Sequence, residues 1–220
     1  MIATAAALPL VFFPGAGGRT EHLRPIGELL AQRRSVTLCQ YPGLDGVDPD
    51  PSLRSLAHLQ RHLLARLPER FDLVTMSMGG VLGLRIALER PQRIRKLVLL
   101  ATSGGVDMAA LGGLDWRENF VRVRPNTPSW FVEDRSDLTP LLGRIAQPTL
   151  LIYGDADLIA PVQVGAFLQQ RLPDARLEVI AGATHDLELE FPDLIASFIE
   201  AHLRRPLASE APARAPGAGN

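Results

Sequence analysis

The stretch LVTMSMGGV, residues Leu73–Val81, decides how the rest of the chain is interpreted. Its first four residues have the apolar and β-branched character of a buried strand, whereas the glycines after the serine lead into a helical pattern. A strand that ends on Ser77 and turns at once into a helix pushes the serine hydroxyl out of the sheet. A hydroxyl placed in this way is open to a base and to a substrate carbonyl, so the stretch is a candidate for a nucleophile on a sharp turn. The alternative is that Ser77 is an ordinary turn residue, and the motif alone does not decide between the two.

This turn departs from the usual sequence at one position. The residues two before and two after such a serine are crowded and are normally glycine, which gives the pattern G-x-S-x-G. Gly79 fits the second of these positions, but Thr75 occupies the first. A β-branched side chain there should press on the following helix, and we expect Gly80 to leave compensating space. Thr75 thus allows two outcomes, an ordinary turn with a slightly shifted helix or a weakened or altered activity.

Short runs of Val, Leu and Ile alternate with longer amphipathic segments along the rest of the chain. This alternation is typical of parallel strands that are buried on both faces and joined by crossover helices, so it predicts an α/β fold with a mostly parallel central sheet. The predicted strands are Pro9–Phe13, Ser35–Gln40, Phe71–Met76, Ile94–Ala101, Pro148–Tyr153 and Arg176–Ile180. The predicted helices are Thr20–Gln32, Ser52–Leu67, Met78–Arg90, Pro161–Arg171 and Leu187–Arg204.

Two stretches break the alternation. Residues 104–147 form an insert about twice as long as an ordinary crossover, and their prolines favour irregular structure over long helices. We interpret this insert as a short cap over the sheet. Residues 207–220 are mostly Ala, Pro and Gly, which predicts a disordered tail after a single domain at residues 1–206.

Composition narrows the class of function. Lys plus Arg number 23 and Asp plus Glu number 24, so no excess charge favours a nucleic-acid partner. Cys39 is the only cysteine, which excludes a disulfide framework. The apolar start lacks the basic first segment of a signal peptide, and no run reaches the roughly 20 apolar residues of a membrane helix. We therefore expect a cytoplasmic protein that acts on a neutral small molecule, with no membrane partner; nothing favours a particular oligomeric state.

The first predicted strand runs into FFPGAGG, residues Phe12–Gly18, before a helix begins near Thr20. Backbone N–H groups are exposed in such a glycine-rich turn and can stabilise an oxyanion together with the amide that follows a nucleophile. The amide after the serine belongs to Met78, and Ala16 is the candidate for the other. A phosphate-binding loop is the alternative, but the stretch has neither G-x-G-x-x-G spacing nor a Lys-Ser/Thr ending.

Carboxylates and a histidine follow the last two predicted strands. Asp155 and Asp157 lie in GDAD after the fifth strand, and His185 lies in GATHD after the sixth. Ligands bind at the carboxyl ends of the strands in open α/β sheets, so these loops are expected to converge with Ser77. A chain order of serine, acid and histidine is known from hydrolases that carry the serine on a sharp turn. Each group also has a plainer interpretation, as a solvated loop histidine or a carboxylate that caps the next helix.

These motifs together resemble the α/β-hydrolase superfamily over about residues 10–203. They are FFPGAGG (Phe12–Gly18), MSMGG (Met76–Gly80), LRIALERPQRIRKLVLLATSGG (Leu84–Gly105), PTLLIYGDADLIAP (Pro148–Pro161) and GATHD (Gly182–Asp186). The resemblance implies that the second aspartate of Gly-Asp-x-Asp, Asp157 rather than Asp155, is the acid of the triad. The family's usual His-Gly pair in the oxyanion turn appears here as Pro14-Gly15.

The resemblance implies a hydrolase that cleaves a carboxylic ester without a cofactor. His185 would take the proton of Ser77, which attacks the acyl carbonyl, while the amides of Met78 and Ala16 hold the oxyanion and Asp157 supports the imidazolium. A serine instead of an aspartate at position 77 disfavours the halide-opening and epoxide-opening branches. The alternatives are the same fold acting on a thioester or a carbon–carbon bond, a lyase step, and a ligand-binding relative without activity.

Aromatic side chains in the cap are candidates for the substrate pocket, which suggests a small apolar acyl group. The alternative is that these aromatic rings join the cap to the body of the domain. The candidate pocket residues are Met76, Trp116, Trp130 and Phe131.

Three further histidines are candidates for metal ligands or pocket residues. His58 and His62 have a metal-binding spacing on a predicted helix, but no third ligand accompanies them, so we expect no metal. His22 follows the glycine turn closely, and we interpret it as a solvent-facing residue at the start of a helix.

Overall fold

The computed structural model describes residues 7–207 and forms a single sheet of six strands with helices packed against it. The strands are β1 (Leu10–Phe13), β2 (Val36–Leu38), β3 (Phe71–Met76), β4 (Ile94–Leu100), β5 (Thr149–Gly154) and β6 (Ala175–Ile180). The helices are α1 (Arg24–Ala31), α2 (Leu56–Leu64), α3 (Met78–Glu89), α4 (Arg117–Val123), α5 (Ser129–Val132), α6 (Val162–Arg171), α7 (Leu187–Glu190) and α8 (Pro192–Arg204). The predicted α/β fold and its six strands are confirmed.

The strands are all parallel and lie in the order β2-β1-β3-β4-β5-β6. After β1 the chain moves outward to β2, and it then returns past β1 to β3, so the direction of winding reverses between β1 and β3. Loops at such a reversal diverge and leave a crevice at the carboxyl ends of the strands. The loop after β1 carries Ala16 and the turn after β3 carries Ser77, so the topology places these two segments on either side of the crevice.

The centre of the sheet and the helix after β3 form the core. All residues of β3 and β5 are buried, and α3 is buried along most of its length because its sequence is apolar on nearly every side. Helix α1 packs against α8, and α2 packs against α3. The turn that carries Ser77 therefore joins two of the most buried elements of the protein.

The structure divides one predicted helix into two. The segment Leu187–Arg204 was predicted as continuous, but α7 ends at Glu190 and α8 begins at Pro192. Proline has no N–H for a helix interior and is well suited to the first helical turn, so Pro192 starts a helix and interrupts the one before it. The first predicted helix is also shorter than expected, since α1 begins at Arg24.

The cap lies between β4 and β5. It contains the short helices α4 and α5 and two 3₁₀ segments, Ala109–Leu111 and Thr139–Arg144, in agreement with the irregular structure expected from its prolines. The predicted disordered tail, apart from residue 207, lies outside the described residues. Among residues 7–207, none of the helices has the length and apolar character that crossing a bilayer requires.

Candidate active site

Ser77 occupies the turn between β3 and α3. Its backbone has φ 49° and ψ −118°, a conformation that is costly for a residue with a side chain. Its N–H donates to the carbonyl of Leu100 at 2.8 Å. Its own carbonyl accepts from the N–H of Gly80 at 2.9 Å and from Oγ1 of Thr102 at 2.6 Å. Hydrogen bonds thus hold the strained backbone of Ser77 at both its N–H and its carbonyl group.

Two glycines after Ser77 allow other segments to approach the turn closely. A Cβ atom on Gly79 would lie 2.6 Å from the carbonyl oxygen of Pro14 and 2.7 Å from that of Phe13. A Cβ atom on Gly80 would lie 2.2 Å from Oγ1 of Thr102. Gly79 therefore brings the β1 loop against α3, while Gly80 makes room for the threonine that supports Ser77.

Thr75, which replaces the usual leading glycine, is completely buried, and its Oγ1 donates to the carbonyl of Val98 at 3.2 Å. The space for its methyl group comes from Gly83, where a Cβ atom would lie 2.9 Å from Thr75 Cγ2. The prediction that Gly80 provides this space is wrong, because the strand side chain meets the helix about one turn further along. Helix α3 still begins at Met78, directly after the serine.

His185, on the loop after β6, lies between Ser77 and Asp157. Its Nε2 is 3.1 Å from Ser77 Oγ, and its Nδ1 is 2.8 Å from Asp157 Oδ2. Asp157 is almost fully buried, and its Oδ1 accepts from the N–H groups of Ile159 at 2.8 Å and Ala160 at 3.0 Å. Because a carboxylate only accepts, the Nδ1 proton is directed at Asp157, which leaves Nε2 as an acceptor for the hydroxyl.

Asp155, the other aspartate of the same loop, does not reach His185. Its Oδ1 accepts from the N–H of Gly182 at 2.6 Å, which ties the loop after β5 to the loop after β6. Of the two candidate acids, the structure brings only Asp157 into contact with the histidine.

The glycine turn lies directly beside the serine. A Cβ atom on Gly15 would lie 3.3 Å from Ser77 Cβ, and the turn is closed by a 3.0 Å hydrogen bond from the N–H of Gly18 to the carbonyl of Gly15. Within residues 7–207, the backbone N–H groups of Ala16 and Met78 have no hydrogen-bond partner. Both candidate oxyanion amides are therefore free to donate to a ligand.

Two cavities meet at the serine. One of about 450 Å³ lies under the cap, and another of about 420 Å³ runs along the glycine turn. Ser77, Trp116, Ile159 and His185 line both of them. The serine hydroxyl thus stands at the junction of two lobes, which we call the cap lobe and the glycine-turn lobe.

The wall of the cap lobe is less apolar than the sequence suggested. Its apolar members are Met78, Val81, Ala101, Val106, Met108, Ala109, Leu114, Trp116, Ile159 and Ala160. Its charged members are Asp107, Asp115, Arg117, Asp134, Arg135 and Asp137. A substrate in this lobe can therefore contact both apolar surface and charged groups.

The four predicted pocket residues divide into two pairs. Trp116 lines both lobes and Met76 lines the glycine-turn lobe, but Trp130 and Phe131 line neither. Phe131 has no exposed surface, and its ring centroid lies 6.3 Å from that of Tyr41 and 5.8 Å from that of Trp130. The prediction for Trp130 and Phe131 is corrected: their rings pack the cap onto the body of the domain.

Glu188 is a further residue of the site that the sequence does not predict, since it lines the glycine-turn lobe although it is almost completely buried. Burial raises the pKa of its carboxyl group to about 7. Its Oε1 lies 3.4 Å from Nδ1 of His22, and its Oε2 has no hydrogen-bond partner among the described residues. The alternating LELE sequence of α7 gives no sign of this burial. His22 also lines the lobe, so its interpretation as a solvent-facing residue is corrected.

Comparisons of the sequence with known proteins identify relatives that are hydrolases. The sequence profile of the alpha/beta hydrolase family matches residues 10–114. A pimeloyl-[acyl-carrier protein] methyl ester esterase from Nitrosomonas europaea is 29% identical over 222 residues, which cover 79% of this chain and 87% of the esterase. A 2-hydroxy-6-oxononadienedioate/2-hydroxy-6-oxononatrienedioate hydrolase from Cupriavidus pinatubonensis is 26% identical over 78% of this chain and 77% of that protein.

Solved structures show the same architecture. The crystal structure of a hydrolase from Pseudomonas aeruginosa superposes with a TM-score of 0.72 at 23% identity and covers 92% of each chain. The enol-lactonase of Burkholderia xenovorans gives a TM-score of 0.71 at 21% identity and covers 92% of this chain and 94% of its own. At these identities the likeness shows the fold.

Proposed function

We propose that this chain, which belongs to the α/β-hydrolase superfamily, cleaves a carboxylic ester through an acyl-serine intermediate. The observation that carries the proposal is the continuous hydrogen-bonded series Ser77, His185 and Asp157, with heavy-atom distances of 3.1 and 2.8 Å. A neutral hydroxyl is a weak nucleophile, and an adjacent base that takes its proton activates it. The names of the relatives support an ester as substrate, since they include a methyl ester esterase.

In this mechanism Ser77 Oγ attacks the acyl carbonyl while His185 Nε2 takes its proton. The imidazolium then gives that proton to the leaving alcohol, and water attacks the acyl-serine with the same histidine as base. Asp157 accepts from Nδ1 throughout, so it holds the imidazole in the productive tautomer and stabilises its positive charge. The two backbone hydrogen bonds to Asp157 Oδ1 keep the carboxylate in place.

The oxyanion of the tetrahedral intermediate would be held by the amides of Met78 and Ala16. Met78 is the first residue of α3, so its N–H also carries the partial positive charge of a helix N-terminus. Neither amide has a partner to lose in the described part of the chain. Donors that are already aimed and unpaired stabilise developing charge without reorganisation, which is the principal electrostatic contribution in acyl transfer.

The two lobes suit an ester with a group on each side of the reacting carbonyl. Each lobe has a volume of about 420–450 Å³, the range of ordinary small-molecule sites, and both open onto Ser77. We propose that the acyl part enters one lobe and the alcohol part the other. The charged wall of the cap lobe favours a substrate that also carries a polar group.

The proposal is tested with p-nitrophenyl esters of increasing acyl length. The wild-type protein should hydrolyse at least one of them with saturable kinetics, and Ser77→Ala and His185→Ala should each lower kcat by about 10⁵-fold or more. Ser103→Ala is the matched control and should keep kcat near the wild-type value, because Ser103 lines the cap lobe and its hydroxyl accepts from the N–H of Gly105. A wild-type rate for Ser77→Ala would refute the mechanism.

The assignment of the acid is tested by Asp157→Asn against Asp155→Asn. Asn at position 157 favours the wrong imidazole tautomer, and an equivalent change in a well-studied serine protease lowers kcat by about 10⁴-fold. Asp155→Asn weakens only the tie to Gly182 and should cost about tenfold or less. The reverse order of these two effects would overturn the assignment.

A further inference from the structure

A second cluster of potential ligands lines the glycine-turn lobe, and it consists of His22, Asp186 and Glu188. One imidazole nitrogen and one oxygen from each carboxylate lie within 4.8 Å of one another. His22 precedes α1, whereas the two acids lie at the start of α7. The cluster is therefore brought together by the tertiary fold rather than by a local run of acidic residues.

The contact between His22 and Glu188 has the geometry of two ligands on one ion. Nδ1 and Oε1 are 3.4 Å apart, yet they do not form a hydrogen bond with acceptable angles. Two ligand atoms that each lie about 2.1 Å from a tetrahedral metal ion are about 3.4 Å from each other. The observed separation agrees with shared coordination of one ion as well as with an ion pair between the two side chains.

Glu188 gives an independent indication of a missing partner. The residue is only 2% exposed, and Oε2 has no hydrogen-bond partner among the described residues. A buried carboxylate oxygen without a donor is unfavourable, and pairing with His22 leaves Oε2 unsatisfied. A cation beside the carboxylate would compensate both of its oxygens.

We propose that His22, Asp186 and Glu188 bind a divalent transition-metal ion, with Zn²⁺ as the best match. An imidazole nitrogen with two carboxylate oxygens suits zinc, cobalt or manganese, whereas calcium prefers six or more oxygen ligands. All three residues line the lobe, so the coordination position that the protein leaves open faces the cavity. The ion would lie in the lobe that Ser77 and His185 share.

Arg19 provides a charge that opposes the ion. Its Nη1 lies 3.2 Å from Nε2 of His22, and its side chain is exposed. When Nδ1 of the imidazole binds a metal, Nε2 carries the ring proton and can no longer accept from the guanidinium. Arg19 must therefore move into solvent on binding, and its positive charge weakens the site. Removal of this charge should tighten binding.

The test is calorimetric titration of the metal-free protein with ZnCl₂. The wild-type protein should bind one ion. His22→Ala and Glu188→Gln should each weaken binding by more than about 100-fold, because loss of a metal ligand costs more affinity than loss of a residue that only hydrogen-bonds to a ligand. Arg19→Ala should bind more tightly than wild type. Ser77→Ala should bind as wild type, so the outcome does not depend on the proposed ester hydrolysis.

His58→Ala/His62→Ala is the control for adventitious binding, since these two histidines lie four apart on α2 and away from the lobe. It should leave zinc affinity unchanged. Glu188→Gln keeps the size of the side chain, and circular dichroism shows whether it is folded; if it is not, His22→Ala decides. Absence of saturable zinc binding in wild type, or wild-type affinity in His22→Ala, would overturn the proposal.

Discussion

The serine turn and the cap form opposite walls of one site but are held in different ways. The turn is fixed by backbone hydrogen bonds and by glycines that lie against backbone carbonyls. The cap is joined to the body mostly through side chains, since Arg85 donates to Ser136 Oγ, Arg124 donates weakly to the carbonyl of Gly17, and the ring of Phe131 packs near that of Tyr41. One backbone hydrogen bond, from the N–H of Leu114 to the carbonyl of Leu158, adds to these contacts. Large apolar side chains remain exposed on the cap, for example Leu114 and Val123.

This difference indicates that the fold determines the geometry of the serine turn, whereas individual side chains determine the position of the cap. Backbone contacts in a buried turn leave little freedom, so a small change there should affect both stability and chemistry. Side-chain contacts over an open cavity can be exchanged one at a time, so changes in the cap should act mainly on substrate binding.

Gly79→Ala should break the serine turn. The added methyl group would lie 2.6 and 2.7 Å from two backbone oxygens, so α3 or the β1 loop has to move. We expect a loss of about 3 kcal/mol in the free energy of unfolding, at the upper end for overpacking. Most of the proposed esterase activity should be lost as well. The control is Gly143→Ala, in the last part of the cap insert, where nothing lies within 4 Å of a new Cβ. Urea denaturation should show a change of less than about 0.5 kcal/mol for the control; equal effects would contradict the account.

Acid should destabilise the body of the domain outside the cap, because the body contains the buried residue His202 whereas the cap contains no histidine. Burial, and secondarily the charge of Lys96, lowers the pKa of His202 from 6.5 to about 4. The unfolded chain therefore binds the proton more strongly, and the stabilising effect of the neutral histidine, complete above about pH 6.5, is lost as the pH falls towards 4. The loss is about 3 kcal/mol. Urea denaturation at pH 7 and pH 5 should show a smaller pH effect in His202→Leu than in wild type; identical pH dependence would contradict this origin.

Thr75→Gly tests whether the unusual residue weakens the turn. It removes the hydrogen bond to Val98 and the methyl group that packs on Gly83, and it adds a flexible residue to a strand. We expect a loss of about 2 kcal/mol in the free energy of unfolding, with kcat within about threefold of wild type, because Ser77 keeps its own supports. Thr75→Ser, which keeps the hydroxyl, should lose about half as much stability. A tenfold rise in kcat for Thr75→Gly would show that threonine impairs the turn.

Trp116→Ala should act on substrate binding without unfolding the protein. The ring lines both lobes and is only partly buried, so its removal should raise KM by about tenfold and change kcat less. Trp130→Ala is the matched control in the same cap. Its ring contacts Phe131 and neither lobe, so steady-state kinetics should show an unchanged KM and thermal unfolding a lower Tm. A larger increase in KM for Trp130→Ala than for Trp116→Ala would contradict the assignment of Trp116 to the substrate site.

The sequence alone predicted the elements whose signals are local. The six strands follow from short apolar runs, and the convergence of the Ser77, Asp157 and His185 loops follows from the rule that parallel strands end at one edge. The predicted continuous helix Leu187–Arg204 is interrupted before Pro192, and the conformational limits of proline are a local signal of this interruption.

The remaining features depend on contacts between distant segments. Space for Thr75 comes from Gly83, since the angle between strand and helix decides which turn of α3 faces the threonine. The position of Trp116 at the two lobes and the packing of Trp130 against Phe131 depend on the path of the cap. Glu188 lies beside His22 because the segment before α1 approaches the start of α7. None of these distances is encoded in a local pattern.

The central claim, that Ser77 is a nucleophile activated by His185, is tested most directly by reaction with a fluorophosphonate and mass spectrometry of the digested protein. The account predicts one adduct per chain on the peptide that contains Ser77, and strongly reduced labelling in His185→Ala although the hydroxyl is still present. Labelling at wild-type rate in His185→Ala, or an unlabelled Ser77 in folded wild-type protein, would contradict it.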